Sequence, residues 1–116
     1  MLLPDATPEQ MDAAIAQNGL VFVDFWADWC APCKQFSVIY DAVAADYTAF
    51  IFLTMDIKKH PTIAETLEVR SIPQLMIFKF GALIFSESGS MPASRFRALV
   101  EQAQQIKKDQ IVQQDS

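Results

Sequence analysis

Seven consecutive residues, Leu20-Val21-Phe22-Val23-Asp24-Phe25-Trp26, form an apolar run rich in Val and Phe and broken by one carboxylate. A run this continuous reads as a strand buried on both faces, and such a strand needs a layer packed on either side of its sheet. Beyond it, Phe36, Ile39, Tyr40, Val43 and Tyr47 recur at helical spacing, and Phe50 to Met55 reads as a second buried strand. Strand, helix, strand in that order implies parallel pairing with a crossover helix.

The flanking segments complete the pattern. Thr7-Pro8-Glu9-Gln10 has the form of a helix start, with Thr7 as N-cap, Pro8 in the first position and Gln10 at the capping-box position. Met11, Ala14 and Ile15 give that helix an apolar face up to the stop signal Asn18-Gly19. Pro61 to Leu67 suggests a short helix. Leu75 to Phe80 and Ala82 to Ser88 flank Gly81 as an antiparallel hairpin. Pro92 introduces a last helix whose Phe96, Leu99, Val100, Ala103 and Ile106 form one stripe. The predicted order is α-β-α-β-α-β-β-α, with room for a very short strand at Met1 to Leu3. That makes an α/β fold: a central mixed β-sheet flanked by helices on both faces. At 116 residues the chain is read as a single domain, 1–116, with a polar C-terminal extension over 107–116.

Both cysteines of the chain lie between the first strand and the helix that follows it, in Trp29-Cys30-Ala31-Pro32-Cys33-Lys34. A loop that short removes little unfolded-state entropy when closed, so the pair serves poorly as a structural staple. With the helix starting inside the segment, Cys30 lies at its N-terminus, where unpaired N–H groups and the helix dipole favour a thiolate. Cys33, three residues on, falls on the same face within reach of a disulfide, and Pro32 suits the first turn. One thiol is activated and the other resolves. A zinc site is the competing reading, but His60 is the only further His or Cys, where zinc normally takes four N or S ligands.

Asp24 admits two readings. It is either a strand-end carboxylate bonded to a nearby N–H, or a buried acid whose raised pKa suits it to take a proton from Cys33 and return it. Trp26 reads as core. Trp29, in the loop beside Cys30, reads as part of the surface that shields the thiolate and receives substrate. Nine basic residues against 14 acidic ones, a net charge of −5, argue against nucleic acid or an anionic membrane as partner. No window approaches 18 apolar residues, and the start carries no export signal, which points to a reducing, cytoplasmic setting.

Val23-Asp24-Phe25-Trp26-Ala27-Asp28-Trp29-Cys30-Ala31-Pro32-Cys33-Lys34 resembles the active-site segment of the thioredoxin family. Val69-Arg70-Ser71-Ile72-Pro73 is similar to that family's cis-proline loop, Phe78-Lys79-Phe80-Gly81 to its hairpin turn, and Gly89 to a glycine of its last loop. The similarity runs from about Thr7 to Ile106. It implies a thioredoxin-like fold and a thiol–disulfide oxidoreductase that reduces protein disulfides through Cys30 and Cys33, with Asp24 as the proton-exchanging acid. It further implies a substrate surface of Trp29, Ala31, Pro32, Ile72, Pro73 and Gly89, in which Pro73 is cis and Ile72 pairs with an extended peptide. The expected partners are disulfide-containing proteins and a thioredoxin reductase. No cofactor is bound: NADPH serves only the reductase, since this chain lacks a Gly-rich βα turn. The implied role is electron transport in cell redox homeostasis, by a monomer.

Five departures from the family pattern bear on partner choice and potential, one of them about two extra residues within Ile57 to Pro61. Ala31 replaces the usual glycine, Val38 a helix-kinking proline, and Gln74 the threonine after the cis-proline. Phe52-Leu53-Thr54-Met55 carries no lysine where many thioredoxins set one near the buried aspartate, which pushes the pKa of Asp24 up further. The missing lysine, Gln74 and the polar extension sustain an alternative: a thioredoxin-fold binding subunit or holdase chaperone with secondary redox activity.

Overall fold

The computed structural model describes Leu3 and Asp5–Ile111. Its elements are α1 (Pro8–Ala16), β1 (Leu20–Trp26), α2 (Ala31–Ala45), β2 (Ile51–Asp56), α3 (Pro61–Thr66), β3 (Gln74–Lys79), β4 (Ala82–Ser88) and α4 (Ala93–Gln105), followed by a 3-10 turn at Lys108–Gln110. The strands form one sheet in the order β2-β1-β3-β4. β1 pairs parallel with β2 and antiparallel with β3, and β3 pairs antiparallel with β4. The sheet is mixed, as the β-α-β opening and the hairpin together require.

Alternation along β1 sorts its side chains between two cores. Leu20 and Phe22 join Phe36, Tyr40 and Val43 of α2 and Phe96 and Val100 of α4 on one face. Val21, Val23 and Phe25 join Met11 and Ala14 of α1, with Ile63 of α3 packed alongside, on the other. Helices therefore cover both faces, and β1 between them is buried from Leu20 to Phe25. The first core is dense in rings: Tyr40 stacks on Phe96 at 5.4 Å between centroids, and Phe22 on Phe52 at 4.5 Å. Asp24, two residues beyond Phe22, faces the same way, toward α2.

Local signals act as the sequence implies. Thr7 accepts the Gln10 N–H at 3.1 Å while Gln10 accepts the Thr7 N–H at 2.9 Å, a complete capping box. β2 begins at Ile51 rather than Phe50, whose N–H instead closes a turn onto the Tyr47 carbonyl. The hairpin also corrects one boundary. Phe80 is not the end of β3 but the first residue of a two-residue turn, with φ of 53° followed by 79° at Gly81. Positive φ at both positions matches the right-handed twist of the strands, and Lys79 and Ala82 pair across it. The strand expected at Met1 to Leu3 lies outside the described residues except for Leu3, a bend; the first pairing is a parallel bridge between Asp5 and Thr54. Val112–Ser116 of the polar extension also lie outside them.

Candidate active site

The reactive pair sits where β1 ends and α2 begins. Cys30 is the N-cap of α2, and its Sγ accepts the Cys33 N–H at 3.2 Å. That donor is one of the orphan N–H groups of a helix start, so the position stabilises charge on sulfur by hydrogen bond and dipole together. A disulfide joins Cys30 to Cys33 across a Cα separation of 5.2 Å. Ala31 and Pro32 lie exposed between them in the first turn. α2 then runs unbroken to Ala45, with Val38 71% exposed on its surface.

A second loop closes over the sulfur. The Ile72–Pro73 peptide bond is cis, and the Ile72 carbonyl oxygen lies 3.6 Å from Cys30 Sγ. Gly89, at φ of 100°, donates its N–H to the Pro73 carbonyl at 2.7 Å and so ties the end of β4 to this loop. Trp29 is 69% exposed beside Cys30, a large apolar surface left open next to a nearly buried sulfur. Cys30, Ile72, Pro73 and Gly89 thus form one connected set, and Trp29, Ala31 and Pro32 adjoin Cys30 along the chain.

Asp24 is fully buried, and neither carboxylate oxygen has a hydrogen-bond partner among the described residues. The strand-end reading, a carboxylate bonded to a neighbouring N–H, does not describe it. Burial raises its pKa well above the ordinary carboxylate range, and the charges of Asp41 and Asp5 raise it further. The carboxyl therefore holds its proton more tightly than an exposed aspartate does.

Other residues of the site escaped sequence reading. Asp5 accepts hydrogen bonds from Trp26 Nε1 at 2.9 Å and Thr54 Oγ1 at 2.8 Å, anchoring the N-terminal segment at the active end of the sheet. No local signal marks Asp5, because both partners are remote in sequence. A cavity of about 310 Å³ opens beside Cys33, walled by Trp26, Ala27, Ser37 and Val38. Ser37, one helical turn past Cys33, could have been found from that spacing alone. No group of three or more metal-ligating side chains comes together among the described residues.

An N-capping cysteine, a partner one turn inside the helix and a proline loop against the sulfur define a dithiol–disulfide exchange site. The family model described as Thioredoxin matches residues 3–102. A putative thioredoxin 2 from Streptomyces coelicolor is 32% identical over 92% of this chain and 80% of its own length. The thioredoxin of Porphyra purpurea is 38% identical over 81% of this chain and 90% of its own. The solution structure of the oxidised thioredoxin from Plasmodium falciparum superposes with a TM-score of 0.76 at 28% identity, covering 87% of this chain and 97% of that one. The chain belongs to the thioredoxin family. It is a thiol–disulfide oxidoreductase of protein disulfides, and thioredoxin reductase is the partner its family implies.

Proposed function

We propose that Cys30 is the attacking thiolate, Cys33 the resolving thiol and Asp24 the group that exchanges a proton with Cys33. The Cys30 thiolate attacks a substrate disulfide, forms a mixed disulfide and expels one substrate thiolate. Cys33 then yields its proton to the Asp24 carboxylate, and its sulfur attacks Cys30 Sγ. The Cys30–Cys33 disulfide forms, the second substrate thiolate leaves and takes up a proton, and two electrons have passed to substrate. The observation that carries this reading is the placement of Cys30 Sγ, which accepts the Cys33 N–H at the start of α2 and lies 3.6 Å from the Ile72 carbonyl. Trp29, Ala31, Pro32, Ile72, Pro73 and Gly89 form the surface that receives an extended peptide beside that sulfur.

The reductase restores the dithiol with electrons from NADPH, which this chain does not bind. The protein works as a monomeric electron carrier of cytoplasmic redox homeostasis, a single domain over 1–116. Its net charge of −5 keeps it from nucleic acid and anionic membrane, and no described helix is long and apolar enough to cross a bilayer. Turnover on a protein disulfide with dithiothreitol tests the assignment. Cys30→Ser should abolish activity, and Cys33→Ser should stall as a mixed disulfide visible by mass spectrometry. Near-wild-type turnover by either variant refutes it.

A further inference from the structure

Asp5, Thr54 and Asp24 stand in one row across the sheet. Asp5 bridges Thr54 in parallel register on the outer side of β2, and Thr54 is the register partner of Asp24 on β1. The row is fixed by backbone as well as side chains, since the Ala6 N–H donates to the Thr54 carbonyl at 2.7 Å. Residues in register project to the same face, so all three turn toward α2. Two strand spacings put the Asp5 and Asp24 backbones about 10 Å apart.

We propose that Asp5 is a positioning residue for the dithiol reaction: held by Trp26 and Thr54, its carboxylate acts on Asp24 as a fixed negative charge. The proposal rests on the reading of Asp24 as the group that takes the proton of Cys33. Beside Asp24 this row carries a hydroxyl and, beyond it, an anion. The other groups bearing on Asp24 come from α2: Asp41, an acid, and Tyr40, a buried phenol whose hydroxyl donates to the Leu53 carbonyl at 2.8 Å. From β3 the register partner is Leu75, which carries no charge. Among the described residues the charges that bear most on Asp24 are Asp41 and Asp5, both acids. An anion at that distance raises the proton affinity of the carboxyl. Transfer from Cys33 to Asp24 is then less uphill, and the proton can be returned once the disulfide has formed.

Asp5→Asn separates charge from hydrogen bonding, because the amide oxygen still accepts from Trp26 and Thr54. The Asp24 carboxyl is followed by carbon-13 NMR across pH in the oxidised full chain. Its midpoint should fall by about half a pH unit or more in the variant. The pH profile of mixed-disulfide resolution should move in the same direction. Asp5→Ser, which removes the charge with a smaller side chain, should do likewise and carries the test if Asp5→Asn does not fold. A midpoint unmoved in the folded variants, or a resolution profile that stays put while the midpoint moves, overturns the proposal. Failure of the underlying reading looks different: Asp24→Asn itself would then resolve the mixed disulfide at the wild-type rate.

Discussion

Replacing Asp24 by Asn should stabilise the protein progressively as pH rises, relative to the wild type. The carboxyl is fully buried with no hydrogen-bond partner among the described residues, and burial and two nearby acids raise its folded-state pKa. In the unfolded chain the same group titrates near 3.9. Between those two values the folded state holds a proton that the unfolded state has released, so stability falls with rising pH. The loss is about 1.4 kcal/mol for each pH unit of the interval, and it is complete above the raised pKa. Asn cannot ionise and escapes this loss, although its amide brings an unpartnered buried donor costing about 1–3 kcal/mol at every pH. The sign of the difference at one pH is therefore a poor test, and its slope is a good one. Below pH 4 the variant should be no more stable than the wild type. Above that its relative stability should climb by up to about 1.4 kcal/mol per pH unit before levelling off. Tyr40, whose pKa burial raises well above 10.0, stays protonated over this range and does not blur the curve. Urea denaturation of both oxidised proteins from pH 4 to 9 gives the slope, and stopped-flow resolution of a mixed disulfide gives the catalytic effect. A stability difference independent of pH, together with wild-type resolution, would leave Asp24 without a role in proton exchange.

Lys79 extends from β3 to donate to the carbonyls of Ala103, Gln104 and Ile106 at 2.8, 3.0 and 2.7 Å, supplying the cation that the last turn of α4 lacks. Lys79→Met should cost about 1–2 kcal/mol and speed amide exchange in that turn, and an unchanged melting curve would show the cap to be idle. Phe96 touches the rings of Phe22, Phe36, Tyr40 and Phe52 in the core under α2 and α4. Phe96→Ala should cost about 3–5 kcal/mol in chemical denaturation, and a loss under 1 kcal/mol would mean the core recloses around the gap.

Features carried by short-range physics were legible in the sequence. The Thr7 and Gln10 cap needs residues three apart, the Cys30 and Cys33 disulfide needs the same spacing at a helix start, and the unbroken apolar run of β1 needs cover on both faces. Gly81 announced the hairpin, but the turn takes two positive-φ residues, and Phe80 carries no mark of that conformation. Long-range contacts left no trace. Lys79 reads as a strand-end lysine until α4 folds back over the sheet, and Asp5 reads as a residue outside the first helix until the N-terminal segment pairs with β2. Gln74, a departure at the edge of the substrate loop, donates to Ser86 Oγ at 2.7 Å, an arrangement that exists only once β3 and β4 are in register.

The same distinction explains why Asp24 is the informative residue of the site. Its position lies within β1, paired on both sides, among side chains that form two apolar cores. A leucine or valine there would suit the packing, and the protein would be spared a carboxyl group with no partner to offset its desolvation. Local folding physics therefore argues against an acid at this place, and the surrounding charges, Asp41 and Asp5, oppose its ionisation rather than relieve it. A carboxyl buried without a hydrogen-bond partner among the described residues and beside two acids is a poor ion and a strong base once ionised. Those are the properties that the proposed proton exchange with Cys33 needs, and the expected loss of stability at alkaline pH is its measurable counterpart.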